Sequence, residues 1–508
     1  MSTLRYELIH AANNRTLSLI DTNIFNDIHK QFEFQKRTVL ADKRLTNNEK
    51  TYAIRLLTKS YDRNKIMHND GTKRNCENST LYCENCVRNY LIENFSNWTS
   101  GNDDIDNLIQ KCQMESLMPD NIVEWIPYSN LVNIKYLTKG GFSEIYTADW
   151  IDGCYDEWYS EKKQLRRFGT IAVVLKDLGN IESVNQRWFE DAKSHLTINN
   201  KWSDIARCYG LTQNPIKGNY MLVMMKMNID LRKYLQQNHY LLTWKERIRI
   251  AYEIIIALYH IHDENAIHRD LHSGNILYSR FNDSWYISDL GFCGPIDKPS
   301  KSIYGNLPYI APEAIVGREY TNASDIYSIA ILMWEISSGQ PPFIRYEHEN
   351  ETATYIINGI RPKIVSGTPL EYKNLMEECW NADPLKRPDI YTLWKRMEKI
   401  NLDYQKMADK FFQSELDNLQ KNKVKVNYAS SRLFTSKIYN FENLSEPRNA
   451  TEEEQEAFHN KSSDFSIPDD NDDEIYNNPN LHSNEQVEIV YGYLEMLDFN
   501  IFSQEKNS

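Results

Sequence analysis

Apolar and polar positions divide this 508-residue chain into three zones. Residues 1 to about 120 are polar and Asn-rich, with helical-looking stretches such as 47–63. From about 125 to 400 the apolar patterns are strong and are punctuated by Gly and Pro. Short runs there at 133–137, 144–149 and 170–175 predict strands, the last of them after a polar insertion at 150–167. A helix is predicted near 187–197, an apolar strand at 220–225, and helices at 244–262, 323–338 and 371–380. That order predicts an α+β architecture of two lobes, the first rich in strands and the second in helices. The third zone opens on a helix predicted at 402–420 and then turns acidic, with ten Asp or Glu and one Lys between Glu452 and Glu474. Such a segment buries too little apolar surface to offset its ordering entropy and is predicted to be disordered. The expected organisation is a polar, partly helical region at 1–124, one domain at 125–400, and a tail at 401–508 made of a helix and an acidic, Asn-rich stretch.

Composition narrows the function classes. The chain is 41% hydrophobic and 25% charged with a formal net charge of −13, which argues against a dedicated nucleic-acid binder, whose phosphate contacts need excess Lys and Arg. Eight cysteines are too few for a disulfide framework at this length and fit a reducing compartment. The first fifteen residues lack the apolar core of a signal peptide. The longest apolar run, 327–336, falls short of the roughly 18–20 residues of a membrane span and suits a buried core helix. A cytoplasmic protein without nucleic-acid or membrane partners is expected.

The strongest chemical signal is His268-Arg269-Asp270-Leu271-His272-Ser273-Gly274-Asn275, followed by Asp289-Leu290-Gly291 and then Ala311-Pro312-Glu313. The conjunction, in this order and spacing, resembles the signature set of eukaryotic protein kinases. Cys379-Trp380 with Arg387-Pro388 resembles the tyrosine-kinase-like branch. The resemblance implies a bilobal protein kinase fold, with ATP and Mg²⁺ as cofactors and protein substrates as partners. In phosphoryl transfer the protein positions the reactants and neutralises charge. The resemblance gives Asp270 the role of accepting the substrate hydroxyl proton and Asn275 and Asp289 that of holding Mg²⁺ through oxygen. Gly291 would let the backbone turn beneath the metal.

Lys176 ends a β-branched strand, Val173-Val174-Leu175-Lys176, where the family has the lysine for the α- and β-phosphates. Its acidic partner on the next helix is expected at Asp191, where kinases use Glu. Asp is one methylene shorter, so the helix must sit closer; Glu190 would face about 100° away. The flap over the phosphates is irregular: Leu137-Thr138-Lys139-Gly140-Gly141-Phe142-Ser143-Glu144-Ile145 keeps only Gly140 on a motif glycine. The nucleotide-binding set implied is Leu137, Gly140, Gly141, Ser143, Ile145, Val174, Lys176, Met224, Met225, Met227 and Leu277. Met224 takes the gatekeeper position and Leu277 the floor.

An activation segment would run from Asp289 to Glu313. Ser300, Ser302 and Tyr304 are candidate phosphorylation sites for an upstream activating kinase, since an added phosphate could pair with Arg269. His272 and Asn306 replace residues usual in Ser/Thr kinases and supply no Tyr-kinase hallmark, so acceptor type stays open. Asp325 is expected to tie the catalytic loop to the central apolar helix, and Arg387 to pair with Glu313. The insertion at 150–167, with the stretches 95–101 and 124–128, resembles the expanded kinase families of arbuscular mycorrhizal fungi. Cys76, Cys83 and Cys86 invite a zinc site, but a tetrahedral site needs four ligands, and His68 or Cys112 would complete it at no standard spacing. Reduced cysteines in a helical segment are the preferred reading. The functional expectation is a protein kinase acting on Ser, Thr or Tyr hydroxyls. The alternative is a pseudokinase scaffold, suggested by Asp191, Thr138, Ser143, Val174 and His272.

Overall fold

The computed structural model describes residues 4–21, 24–67, 84–116, 118–139, 143–159, 161–179, 187–199, 201–292, 294–295, 303–344, 346, 348–407, 436–441 and 444–461. At the N-terminus α1 (Tyr6–Ser18), α2 (Ile28–Ala41) and α3 (Asn47–Met67) pack around Ile9, Ala12, Val39, Ala53 and Leu57. Arg5 joins the starts of α1 and α3 by pairing with Glu49 at 2.8 Å, while Glu49 accepts the Thr46 N–H in the manner of a capping box. Two more helices follow, α4 (Glu84–Asn94) and α5 (Asp103–Glu115).

The strand-rich lobe contains β1 (Glu124–Trp125), β2 (Leu131–Lys139), β3 (Glu144–Trp150), β4 (Tyr155–Tyr159), β5 (Gln164–Arg167), β6 (Ile171–Asp177), α6 (Arg187–Asn199), β7 (Cys208–Gln213) and β8 (Tyr220–Met225). Six of these strands form one sheet in the order β1-β7-β8-β6-β3-β2. Side chains alternate across it. Val173, Leu175, Met221 and Val223 bury one face with Trp150 and Tyr209. Leu222 and Met224 bury the other against Ala192 and Leu196 of α6, with Ile105 and Ile109 of α5 behind them. The polar insertion folds into the β4–β5 hairpin, whose Leu165 packs with Val87, Leu91 and Ile122.

The helical lobe runs through β9 (Ile229–Asp230), α7 (Leu231–Asn238), α8 (Trp244–Asp263), β10 (Ala266–Ile267), β11 (Ile276–Ser279), β12 (Ser284–Ile287), β13 (Gly294–Pro295), β14 (Ile303–Gly305), α9 (Pro312–Ile315), α10 (Asn322–Ser338), α11 (Glu349–Ile357), α12 (Leu370–Cys379) and α13 (Ile390–Lys406). The apolar run at 327–336 lies inside α10, which is buried along almost its whole length. Gly339 ends α10 at φ 68°, a conformation glycine adopts without a Cβ penalty. No helix among the described residues is long and apolar enough to cross a membrane.

Two expectations about the third zone change. The helix expected at 402–420 begins at Ile390, inside the helical lobe, and its described part ends at Lys406. The acidic stretch expected to be disordered from Glu452 starts as a helix, α14 (Glu452–Lys461), preceded by β15 (Lys437–Tyr439). Local charge suggested disorder, but tertiary contacts order this part. Phe458 stacks on Tyr346 and meets Tyr355 edge-on, and Gln455 donates to the Gly359 carbonyl at 2.8 Å. A Cβ on Gly359 (φ 83°) would lie 2.2 Å from the Ala450 nitrogen, so the two backbones meet where only glycine fits. The remainder of the acidic stretch lies outside the described residues.

The N-terminal helices rest on both lobes. Asn14 donates to the carbonyls of Asn282 and Asp283, each at 2.8 Å, and Tyr6 stacks on Phe281 in the β11–β12 turn. Lys59 pairs with Asp156 of the insertion hairpin at 3.3 Å.

Candidate active site

Strand register assembles the site's upper wall. Val174 and Lys176 are two residues apart on β6 and project from one face. Ile145 stands opposite Lys176, and Met224 opposite Val174. Ile145, Val174, Met227 and Leu277 are half-buried, Met224 is buried, and Leu137 is exposed. Ser143 is half-buried at the start of the strand after the flap; Gly140 and Gly141 lie outside the described residues. Met225 is half-buried. Its side chain packs on the opposite sheet face and its N–H donates to the Arg207 carbonyl at 2.9 Å, which leaves only its carbonyl for a ligand.

Lys176 reaches across to both predicted acids. Its Nζ lies 2.6 Å from Asp289 Oδ1 and 3.6 Å from Asp191 Oδ2. Burial alone would lower the lysine's proton affinity, but the two carboxylates outweigh it and hold the ammonium well above its ordinary range. Burial likewise opposes ionisation of Asp289 and Asp191, and Lys176 overrides it, so both carboxyls sit below the usual range. The choice of Asp191 over Glu190 follows the helix angle: Glu190 is exposed and lies 4.0 Å from Lys193.

Gly291 makes room for Asp191 beside Lys176. A Cβ at 291 would lie 2.8 Å from Asp191 Oδ2 and 3.1 Å from Lys176 Nζ. The glycine's role here is therefore space. His195, one turn after Asp191, has its Nε2 3.3 Å from Asp191 Oδ1 and is buried. Its i, i+4 spacing from Asp191 was the available sequence signal.

The catalytic-loop residues are held from below. Asp325 accepts the N–H of His268 at 2.8 Å and of Arg269 at 3.0 Å, and pairs with His262 at 2.9 Å. His268 Nδ1 accepts the Asp270 N–H at 3.3 Å, which leaves Nε2 to donate to the Ser288 carbonyl at 3.0 Å. These bonds sustain two left-handed non-glycine residues, Arg269 at φ 68° and Asp289 at φ 58°, each costing about 1–3 kcal/mol. Ser288, before Asp289, donates its N–H to the Asn275 carbonyl at 2.8 Å, which brings Asn275 and Asp289 together. The Asn275 amide nitrogen donates to the Asp270 carbonyl at 2.9 Å. The amide oxygen is thus the ligand atom left to a cation. Asn275 and Asp289 together offer the hard oxygen donors that suit Mg²⁺.

Below the loop, Arg387 grips Glu313 through two 2.7 Å bonds. Arg269 is half-buried; Ser300 and Ser302 lie outside the described residues. Tyr304 departs from the expectation of a loop hydroxyl open to modification. It is buried in β14, and burial, then Asp270, push its phenol well above the ordinary range. A contact absent from the sequence reading comes from the tail: Ser436 Oγ donates to Asp270 Oδ1 at 2.8 Å.

Among the amino-terminal cysteines, Cys76 and Cys83 lie outside the described residues, as does His68. Cys112 sits in the apolar cluster beneath α6, where burial pushes its thiol up to about 12. No group of three or more His, Cys, Asp or Glu that could hold a metal occurs among the described residues.

Comparison with known proteins agrees with this geometry. Residues 131–397, just over half the chain, match the family described as protein tyrosine and serine/threonine kinase. A dual serine/threonine and tyrosine protein kinase of Pimephales promelas is 34% identical over 184 residues, 35% of this chain and 20% of the relative. The protein of the same description in Homo sapiens is 34% identical over 172 residues, 33% of this chain and 18% of the relative. A probable serine/threonine-protein kinase, roco5, of Dictyostelium discoideum is 27% identical over 313 residues, 58% of this chain and 10% of the relative. The chain thus spans a tenth to a fifth of these relatives' length. The matched segment contains Lys176, Asp191, Asp270, Asn275 and Asp289, so motif, geometry and likeness coincide, and the chain belongs to the protein tyrosine and serine/threonine kinase family.

Proposed function

We propose that the chain transfers the γ-phosphate of ATP, with Mg²⁺, to Ser, Thr or Tyr hydroxyls of protein substrates. The observation that carries this reading is the convergence of Lys176, Asp191 and Asp289, from three separate elements, on one ion-paired cluster. Asp191 is one of the departures that suggested a scaffold, and its 3.6 Å approach to Lys176 supports the kinase reading instead.

The chain's own groups divide the work. Lys176 is charged and held by Asp191, so it can exchange Asp289 for phosphate oxygens without losing its anchor. Asn275 and Asp289 would hold Mg²⁺, which when bound neutralises charge on the phosphoryl oxygens. Asp270 is fixed by its backbone hydrogen bond to His268 and accepts the acceptor hydroxyl's proton. The helical lobe supplies the protein-binding platform through the Glu313–Arg387 pair.

Purified chain incubated with γ-labelled ATP, Mg²⁺ and a generic protein substrate is expected to label that substrate, and chelation of Mg²⁺ is expected to abolish the label. Phosphoamino-acid analysis of the product identifies the acceptor class. Absence of label with Mg²⁺ present would return the chain to the scaffold reading.

Gly291→Ala tests the space argument. Overpacking of this kind costs about 1–3 kcal/mol, and here it falls on the Lys176–Asp191 pair. The expected result is a transfer rate lowered by about 10-fold or more with the fold retained, read from initial rates and circular dichroism.

A further inference from the structure

The tail of the chain lies where an acceptor would lie. β15 pairs antiparallel with β14, matching Tyr439 to Ile303, Ile438 to Tyr304 and Lys437 to Gly305. β14 belongs to the segment between Asp289 and Glu313, the side of the site that faces a protein substrate. The strap is anchored beyond β15 as well. Tyr439 is buried in the helical lobe's core and stacks on Phe441, while Lys437 pairs with Glu349. Further along, the Arg448 N–H donates to the Ile357 carbonyl at 3.0 Å, and Asn449 accepts the Ala382 N–H at 2.8 Å.

This anchoring delivers one hydroxyl to Asp270. Ser436 Oγ lies 2.8 Å from Asp270 Oδ1 and 3.0 Å from His272 Nε2. His272 Nδ1 accepts the Gly274 N–H at 3.1 Å, so Nε2 carries the proton and donates to Ser436 Oγ. The serine proton therefore points to Asp270. A nucleophile within about 2.6–3.2 Å of its base is the arrangement proton transfer requires. Gly305, at φ 138°, runs alongside the base: a Cβ there would lie 3.4 Å from Asp270 Oδ1. The Tyr304 hydroxyl also faces Asp270 and Ser436, but it is buried within the strand that receives the strap.

We propose that Ser436 is an intramolecular phosphoacceptor, presented to Asp270 by the β14–β15 pairing. The inference rests on the kinase reading above. A bond forms between Ser436 Oγ and the γ-phosphorus of ATP, and the bond from that phosphorus to the β–γ bridging oxygen breaks. ADP leaves with the electron pair, and the hydroxyl proton passes to Asp270 and then to water.

The test uses the full chain, γ-labelled ATP, Mg²⁺ and a generic protein substrate, with label mapped by mass spectrometry. Label is expected on Ser436, with the same fraction modified per minute across a 50-fold dilution of the chain in the absence of added substrate. Ser436→Thr is expected to move that label from phosphoserine to phosphothreonine, a change that loss of folding cannot produce. Label on the added substrate with none on residue 436 would overturn this proposal and leave the kinase reading standing. So would label on Tyr304 in place of Ser436. A fractional rate proportional to chain concentration would overturn the intramolecular step. Absence of label everywhere would remove the kinase reading, and this proposal with it.

Discussion

Lys176→Met is expected to lower phosphoryl transfer by about 10²–10³-fold, the usual effect of removing one preorganised electrostatic donor. The variant keeps an unbranched apolar stem but removes the charge that two carboxylates share. Without it, the largest of the effects that oppose burial and mutual repulsion at Asp191 and Asp289 is gone. In the wild type Lys176 holds the Asp289 carboxyl below its ordinary range, so Asp289 stays ionised and available to Mg²⁺ at neutral pH and gains a proton only in strong acid. In the variant that carboxyl shifts upward, so Mg²⁺ competes with a proton. The residual rate is therefore expected to climb with pH and with Mg²⁺ concentration, while the wild-type rate shows no such dependence from this group. Rates measured between pH 6 and 9 at two Mg²⁺ concentrations check both effects. An unchanged rate would mean that Lys176 does not serve the reaction.

Arg387→Ala is expected to cost about 3–5 kcal/mol, because it leaves a charged partner buried without compensation. Glu313 is almost fully buried and takes both of its 2.7 Å bonds to the guanidinium from Arg387. The same guanidinium donates to the carbonyls of Ala323 and Asn381, each at 2.8 Å, and lies over the Tyr327 ring. In a domain of this size the loss should lower the melting temperature by roughly 6–20 °C. Arg387→Lys is not expected to rescue it, since an ammonium cannot make the paired, forked contact. The double variant Glu313→Gln with Arg387→Met is expected to melt above Arg387→Ala, because it removes the stranded charge. Calorimetry of the three variants decides this; equal melting of Arg387→Ala and wild type would contradict the account.

What the sequence made legible depended on how local the signal was. The catalytic loop, Asp289-Leu290-Gly291 and Ala311-Pro312-Glu313 are contiguous strings, and their order points to the fold without any contact information. Asp191 was legible through the family pattern, and helical geometry then set the adjacent Glu190 aside, about 100° away. Asp325 and Arg387 were legible only through the family resemblance, since nothing local shows what they bind. The strap was not legible. Ser436-Lys437-Ile438-Tyr439 is a short mixed run, and its order comes from pairing with residues more than 130 positions earlier. Likewise α14 reads as charged and disordered until Phe458 meets Tyr346 and Tyr355. The docking of the N-terminal helices follows the same rule: the stretch at 47–63 reads as helical, but polar contacts such as Asn14 to the Asn282 carbonyl fix where these helices rest.

The most direct test of the central claim compares wild type with Asp270→Asn at saturating Mg²⁺ and ATP on one generic protein substrate, with nucleotide binding measured in parallel. Asn is isosteric with Asp, so the loop's backbone bonds to His268 and Asn275 can persist while the proton acceptor is lost. The expected result is nucleotide binding within about twofold of wild type and transfer reduced by roughly 10²–10⁴-fold. Equal transfer by the two proteins would contradict the account.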